Sequence, residues 1–213
     1  MKNIKWILAL VCVIILVFVI ENIFDDEIKS FDMKIYSVIS KAISSNTTQI
    51  MKIITAMASA GVLCAICLTV LAFIKNKKYG FIISLNIFIS TILNLILKNI
   101  FERPRPEGYR LIEESGFSFP SGHSMASMAF YGLIIYLIFK KVRNNYIKWI
   151  SVSLLSILIL LVGISRIYLG VHYASDVIGG FCFSIIYLIC FTHFCGFENV
   201  TQSEQNKCNN FEN

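Results

Sequence analysis

The stretch Ser165–Asp176, SRIYLGVHYASD, is polar and charged, yet it lies between two apolar runs of roughly membrane length. Inserting Arg166 at a bilayer centre would cost a free energy of roughly 2.5 to 3.5 kcal/mol on insertion scales, so a charged residue in such a segment indicates a function. His172 and Asp176 are four residues apart, which puts them on one helix face if the chain is already helical there. The pair suggests a nucleophile or base with an orienting carboxylate.

The composition is that of an integral membrane protein, with 56% hydrophobic and 15% charged residues among 213 and a mean hydropathy of +0.71. The polar gaps are too short to fold separately, so residues 1–213 are predicted to form one membrane domain. The net charge of +6 lies mostly in short loops, with no basic stripe interleaved with aromatic residues. The lipid bilayer is therefore the predicted partner, and no nucleic acid is; no feature specifies an oligomeric state.

Six apolar runs predict an all-α bundle of six transmembrane helices. The first run follows two lysines and could also be a signal peptide, but no small-residue cleavage site follows it, so an uncleaved span is favoured. A polar C-terminal tail is predicted over residues 197–213. The spans cover about residues 6–23, 53–74, 81–97, 123–139, 149–164 and 177–194.

The polar segment 25–49 carries apolar residues at helical spacing, which predicts a short helix along the membrane surface in the first outer loop. This apolar face either packs over the ends of the spans or senses lipid. It consists of Phe31, Ile35, Val38, Ile39, Ala42 and Ile43. In the third span, Asn86 and Asn94 are expected to face other helices.

The charges in the loops predict that both termini are cytoplasmic. The second and fourth loops carry only basic charges, whereas the first mixes four acids with its lysines. The third loop, residues 98–123, and the fifth, residues 166–172, then open together on the outer face of the cell membrane. The basic residues of the second and fourth loops are Lys75, Lys77, Lys78, Lys140, Lys141, Arg143 and Lys148.

Three polar clusters fall on that outer side. Together they supply three cations, two imidazoles and one carboxylate, a set that suits a dianionic ligand held without a metal. Ser121 and Gly122 come just before an apolar helix, where a hydroxyl and backbone N–H groups can bind an anion. The clusters are Lys98 with Arg105–Pro106, then Pro120–His123, then Ser165–Arg166 with His172 and Asp176.

Several of these residues also have a simpler interpretation. Arg103 and Arg110 lie among glutamates, and we expect them to form weak ion pairs in a solvated loop. Taken alone, His123 would be an interfacial histidine, and the proline before Ser-Gly-His could be only a helix start. His193 is interpreted as interfacial packing.

The cysteines do not indicate a disulfide framework or a metal site. Seven is an odd number, and six of them lie within or at the ends of apolar runs. Cys64 and Cys67 match a redox or zinc half-site by pattern, but inside a membrane helix we expect them to be small packing residues. With three histidines in the chain and the cysteines elsewhere, neither a metal nor a cofactor is predicted.

The three clusters resemble the three-part signature of the type 2 phosphatidic acid phosphatase superfamily, which includes vanadium haloperoxidases and glucose-6-phosphatase. That signature is a lysine followed after six residues by Arg-Pro, then Pro-Ser-Gly-His, then Ser-Arg, five residues, His, three residues and Asp. It reads here without departure, and the resemblance covers about residues 31–194. The matching positions are Lys98, Arg105–Pro106, Pro120–His123, Ser165–Arg166, His172 and Asp176.

The resemblance implies a role for each of these positions. His172 would attack phosphorus to give a phosphohistidine, Asp176 would orient it, and His123 would act as general acid and then general base. The phosphate oxygens would be bound without Mg²⁺ or another cofactor. Their ligands would be Lys98, Arg105, Ser121, Gly122 and Arg166.

The implied substrate is a lipid phosphate or diphosphate, because the site would lie at the membrane surface between spans. Similar bacterial six-span enzymes act on undecaprenyl diphosphate, phosphatidylglycerol phosphate or phosphatidic acid, and all three stay open. A phosphotransferase with an alcohol acceptor is an alternative. A non-catalytic lipid phosphate binder or transporter is another, although it leaves the spacing of His172 and Asp176 unexplained.

Overall fold

The computed structural model describes residues 2–73 and 77–195, and every regular element in these ranges is helical. The prediction of an all-α membrane protein is confirmed. The tail predicted over residues 197–213 lies outside the described residues. The helices are α1 (Lys2–Asn22), α2 (Asp26–Ile39), α3 (Ser45–Ala56), α4 (Ala60–Phe73), α5 (Lys77–Phe101), α6 (Gly122–Lys141), α7 (Asn145–Tyr168) and α8 (Ala174–Phe194).

Five helices, α1, α5, α6, α7 and α8, are each long and apolar enough to cross a membrane, and α3 with α4 makes a sixth span if the bent pair is taken as one. The chain is therefore a multi-pass membrane protein. Several helices run past the predicted spans; for example, α5 covers Lys77–Phe101 where residues 81–97 were predicted. The reason is that a helix continues into the polar interface, which hydropathy alone does not register.

The second predicted span, residues 53–74, differs from a continuous helix. Helices α3 and α4 meet at 45° across a three-residue break, residues 57–59. A break frees backbone carbonyls that lipid cannot satisfy, so they need partners inside the protein. Here the Tyr131 hydroxyl donates to the Met57 carbonyl oxygen at 2.9 Å, and α6 thereby stabilises the bend.

Helix α6 lies at the centre of the bundle, packed against α5, α7 and α8, while α1 packs along α8 and α3 along α7. Leu133 of α6 and Ile159 of α7 are buried in the largest apolar cluster. At the end of the bundle formed by the start of α1 and the end of α8, the rings of Trp6 and His193 are 5.9 Å apart in an edge-to-face contact. The predicted packing role of His193 agrees with that contact.

Helix α2 forms where a short surface helix was predicted. Its Ile28 and Asp32 are buried, and Ile35 and Ile39 pack against the cluster around Ile167 at the end of α7. The packing interpretation therefore holds for Ile35 and Ile39 of the predicted apolar face. The other four residues of that face, Phe31, Val38, Ala42 and Ile43, are exposed, because the buried side of α2 is the one that carries Ile28 and Asp32.

The loop after α5 and the loop between α7 and α8 meet at one end of the bundle. The Leu111 N–H donates to the Leu169 carbonyl at 3.0 Å, and the Ser121 N–H donates to the Asp176 carbonyl at 3.1 Å. Gly170 has a φ of +70°, and a Cβ there would lie 2.6 Å from the Tyr109 carbonyl oxygen. Only glycine fits this close turn, which brings the third cluster of the sequence against the first two.

Candidate active site

His172 and Asp176 form the centre of the site. His172 lies in the loop before α8 and is 3% exposed, and Asp176 is fully buried in the first turn of that helix. The His172 Nδ1 is 3.4 Å from Asp176 Oδ2, and the His172 Nε2 is 3.2 Å from an Arg105 guanidinium nitrogen. Because arginine can only donate, Nε2 is an acceptor, and the proton of the neutral ring is on Nδ1, facing the carboxylate.

The environment of His172 keeps the imidazole neutral. Burial lowers the pKa of His172 to about 4, and the hydrogen bond and charge of Asp176 oppose this shift only in part. At neutral pH Nε2 therefore carries no proton, and its lone pair accepts from Arg105.

Arg105 is held by backbone carbonyls from both loops. Its Nε donates to Gly116 O at 2.9 Å, and its two terminal nitrogens donate to Val171 O at 2.9 Å and Ser115 O at 3.0 Å. A planar guanidinium fixed in this way loses little further freedom when it binds an anion.

Arg166, in the last turn of α7, is 1% exposed and donates to Thr55 Oγ1 at 2.9 Å. Its other terminal nitrogen donates to the Glu114 carboxylate, which also lies 3.8 Å from Arg105. Burial favours the neutral carboxyl, but Arg166 and Arg105 outweigh it and lower the pKa of Glu114 below its ordinary value. The bridging carboxylate marks a position where the two arginines together hold an anion.

The remaining predicted residues surround this position. Lys98 lies in the last turn of α5 and donates to the Phe117 carbonyl. Ser121 caps α6, because its Oγ accepts from the Ser124 N–H at 3.4 Å. A Cβ on Gly122 would lie 3.0 Å from the Asn94 side chain. His123 lies in the first turn of α6, within the range of electrostatic interaction with Arg166 and Glu114. All eight predicted site residues therefore lie at the same end of the bundle.

The prediction for Arg103 was wrong. It is 3% exposed, not solvated, and its guanidinium bonds the buried carboxylates of Asp32 and Asp176. Arg110 is exposed, as expected. The sequence did contain a signal for Asp32, since it shares a helical face with the apolar Ile28 and Ile35, which marks it as a buried acid in need of a partner.

Two further residues were not anticipated. Ser118 donates to Asp176 Oδ2 and lies 3.4 Å from His172 Nδ1, and Glu114 occupies the space between Arg105 and Arg166. Both lie in the loop of residues 102–121. Because this loop has no helical or strand periodicity of apolar residues, its sequence does not indicate which side chains point inward.

A profile of the PAP2 superfamily matches residues 78–199, more than half of the chain. This protein belongs to the PAP2 superfamily. The family suggested by the three motifs is thereby confirmed, and the matched region contains all eight predicted site residues.

Similar proteins include phosphatidylglycerophosphatase B of Bacillus subtilis (strain 168), which is 38% identical over 117 residues. That alignment covers 54% of this chain and spans 57% of the length of the relative. Among solved structures, a transmembrane PAP2 type phosphatidylglycerolphosphate phosphatase from Bacillus subtilis superposes with a TM-score of 0.78 at 28% identity, covering 90% of this chain and 96% of that one. LpxE of Aquifex aeolicus superposes with a TM-score of 0.61 at 25% identity, covering 76% of this chain and 94% of that one.

This PAP2 protein also has an apolar groove that leads to the site. It has a volume of about 630 Å³, lies between α4, α5 and α6, and reaches Gly122 and His123. Cys64 and Cys67 line it as free thiols, and the described residues contain no cluster suited to a metal ion.

Both asparagines of α5 face other parts of the protein, as expected. Asn86 Nδ2 donates to the Ala129 carbonyl of α6 at 2.8 Å, and Asn94 Nδ2 donates to the Pro120 carbonyl at 3.1 Å. The second bond holds the residue before the Ser-Gly-His segment, so α5 helps to place the start of α6.

Proposed function

We propose that this protein is a metal-independent membrane phosphatase that hydrolyses a lipid phosphate or diphosphate through a phosphohistidine. One observation carries the proposal: a neutral, buried His172 has Nδ1 turned to Asp176 and Nε2 turned to Arg105, beside a position where two arginines hold a carboxylate. An unprotonated imidazole nitrogen next to an arginine that also approaches a bound carboxylate is suited to nucleophilic attack on phosphorus.

In the first half-reaction, Nε2 of His172 forms a bond to phosphorus while the bond from phosphorus to the lipid oxygen breaks. His123 donates a proton to that oxygen, and the lipid alcohol leaves, or the lipid monophosphate when the substrate is a diphosphate. The ring becomes positively charged, and the Asp176 carboxylate stabilises it through the proton on Nδ1.

In the second half-reaction, water replaces the leaving oxygen. His123, now neutral, accepts a proton as the water oxygen bonds to phosphorus, the P–N bond breaks, and its electron pair returns to Nε2. Orthophosphate leaves and His172 is neutral again, so both histidines finish the cycle in their starting protonation states.

The charge that develops on the transferring phosphoryl oxygens needs fixed positive partners. Arg105 and Arg166 are buried and held by protein oxygens, and Lys98 adds a third cation at the end of α5. Ser121 and Gly122 add a hydroxyl and a helix N-terminus. Glu114 would have to give up its place to the phosphate, which supplies the arginines with a stronger, more highly charged anion.

The apolar groove supports a lipid as the substrate. Among the described residues that line it, the only one that can carry a charge is His123, so an acyl or prenyl chain can lie in the groove while the phosphate reaches the arginines. The names of the relatives, phosphatidylglycerophosphatase B and a phosphatidylglycerolphosphate phosphatase, make phosphatidylglycerol phosphate the first candidate. Undecaprenyl diphosphate and phosphatidic acid are the other two.

The purified protein should release orthophosphate from at least one of these three lipids in the presence of EDTA and without an alcohol acceptor, because the cations of the site are side chains. Comparing kcat/KM across the three identifies the preferred lipid. Turnover only after an alcohol is added would instead indicate a phosphotransferase. Binding of all three lipids without turnover would indicate a non-catalytic protein.

Filling the groove should weaken the use of long-chain lipids selectively. Cys64→Trp places an indole in the groove. Fitting a lipid chain beside this larger side chain should cost about 1 to 3 kcal/mol, so KM for the long-chain substrate should rise about tenfold or more. Ala65→Trp, on the exposed neighbour that does not line the groove, is the matched control. Equal effects of both variants, or an equal loss with a dihexanoyl substrate, would contradict a chain-binding role.

We further propose that both termini are cytoplasmic and that the site opens on the extracytoplasmic face of the cell membrane. The basic second and fourth loops support this orientation, and the contact between Trp6 and His193 supports a common side for the first and last helix ends.

Cysteine labelling tests this orientation in a variant whose seven native cysteines are replaced by alanine. Glu107→Cys, at an exposed position of the site loop, should react with an impermeant reagent added to intact cells. The neighbouring Gly108 is less suitable because its φ of +87° favours glycine. Arg143→Cys, between α6 and α7, should react only after lysis, and the reverse pattern would invert the orientation.

A further inference from the structure

We infer that Arg103 is a positioning residue that fixes the Asp176 carboxylate against His172, and that Asp32 of α2 fixes Arg103. This inference rests on the proposed function, since it concerns the carboxylate that orients the nucleophile. Neither residue belongs to the three motifs.

The guanidinium of Arg103 is held on three sides. One terminal nitrogen lies 2.6 Å from Asp176 Oδ1, and the other lies 3.0 Å from Asp32 Oδ2. The guanidinium carbon lies 4.2 Å from the centre of the Tyr173 ring, in cation–π contact. Its side chain is 3% exposed and both carboxylates are fully buried, so water does not compete for these bonds.

Arg103 decides which oxygen of Asp176 faces the histidine. Oδ1 is occupied by Arg103, whereas Oδ2 accepts from the Tyr173 N–H at 2.8 Å and from Ser118 and lies 3.4 Å from His172 Nδ1. Rotation of the carboxylate would break the charged bond to Arg103, so the present orientation is fixed. Without Arg103, only the bonds from the Tyr173 N–H and Ser118 to Oδ2 oppose rotation of the carboxylate, and its buried negative charge has lost its closest cation.

Asp32 extends the network to helix α2. Its Oδ1 accepts from the Ser175 N–H at 2.8 Å, and its Oδ2 accepts from the Ser175 hydroxyl at 2.7 Å. The Ser175 N–H lies in the first turn of α8, where the helix itself provides no partner. Asp32 therefore connects α2 both to Arg103 and to the first turn of α8, which contains Asp176. These contacts explain why a surface helix carries a buried acid.

Arg103 and Arg105 are on opposite sides of the catalytic pair. Arg105 contacts His172 Nε2, whereas Arg103 contacts Asp176 Oδ1, the carboxylate oxygen that is not the one next to His172 Nδ1. The terminal nitrogens of Arg103 are bonded to protein oxygens that the phosphate does not replace. Its effect on the reaction must therefore pass through Asp176.

A double-mutant cycle with Asp176 tests this assignment, because residues that act through one contact are not additive. On the preferred lipid, Arg103→Met should lower kcat about 100-fold in the otherwise unchanged protein, but less than about threefold in an Asp176→Asn background. The orthophosphate inhibition constant should change less than about threefold, since Arg105, Arg166 and Lys98 bind the phosphate. An equal loss of kcat in both backgrounds would show a merely structural role and overturn the inference.

Three further variants keep the test decisive if Arg103→Met does not fold. Arg103→Lys keeps a cation for Asp176 without the fork that reaches both carboxylates, so it should retain more kcat than Arg103→Met. Asp32→Asn should lower kcat about tenfold, and this loss too should disappear in the Asp176→Asn background. Arg110→Met, an exposed arginine of the same loop, should change kcat less than about twofold. An additive effect of Asp32→Asn would overturn the inference as well.

The outcomes separate this inference from the proposed function. If the unchanged protein releases no phosphate from any lipid, the proposed function fails. If it turns over and Arg103→Met retains full kcat, the function stands and the positioning role of Arg103 is wrong.

Discussion

Replacement of His172 by alanine is expected to abolish phosphate release from the preferred lipid, with a loss in kcat of at least about 10⁴-fold, as is common when a covalent nucleophile is removed. Alanine cannot accept the phosphoryl group, and the space it leaves is too deeply buried for water to act with the same orientation. The measurement is orthophosphate release by protein that has the same yield and melting temperature as the unchanged chain.

His193→Ala is the matched control for that experiment. It removes the same side chain from the other end of the bundle, where the ring packs against Trp6, and kcat should change less than about twofold. Phosphate release by His172→Ala within tenfold of the unchanged protein would be incompatible with a phosphohistidine at this position.

Asp176→Asn is expected to lower kcat by about 10⁴-fold, in line with other carboxylates that orient a catalytic histidine. An amide removes the charge that stabilises the phosphorylated ring. If its NH₂ group turned to His172 Nδ1, the proton of the ring would move to Nε2 and the lone pair would be lost. Arg103 would also lose one of its two buried carboxylate partners.

The control for Asp176→Asn is Asp26→Asn, which makes the same change at a side chain that is 98% exposed and pairs with Lys29. That variant should keep kcat within about twofold. A loss below tenfold for Asp176→Asn would argue against an orienting role, and a rise in KM without a fall in kcat would place Asp176 in substrate binding instead.

Much of the site could be predicted because its residues lie at the ends of apolar runs. Hydropathy locates the runs, and helices of membrane length alternate in direction, so the loops that contain Lys98, Arg105, His123 and Arg166 must meet on one side. The prediction needed no knowledge of which helices pack together. The contacts between the two loops, such as Leu111 with Leu169, are the tertiary consequence.

The residues that were missed depend on partners far away in sequence. Arg103 lies among glutamates and looks solvated, yet it is bonded to Asp32, 71 residues earlier, and to Asp176, 73 residues later. Glu114 lies in an aperiodic loop and turns inward to Arg166. Burial of a charge is decided by whether a partner of opposite charge is brought to it, and local sequence does not contain that information.

The bend between α3 and α4 has the same origin. Within the apolar run of residues 53–74 the local signal for a break is Ser59, whose Oγ accepts from the Val62 N–H at 3.4 Å at the start of α4. The break also needs a distant partner, since the Tyr131 hydroxyl satisfies the Met57 carbonyl from 74 residues away. Thr55, before the bend, contacts Arg166, and α4, after it, lines the groove that reaches His123.

The sequence by itself determined the membrane class, the number of apolar runs, the family and the eight predicted site residues, because hydropathy and motif spacing are properties of the linear chain. Only the tertiary structure decided that His172 places Nε2 against Arg105, that Glu114 lies between Arg105 and Arg166, and that Arg103 joins Asp32 to Asp176. Each of these depends on the direction and burial of a side chain, and both are set by the helices and loops that pack around it.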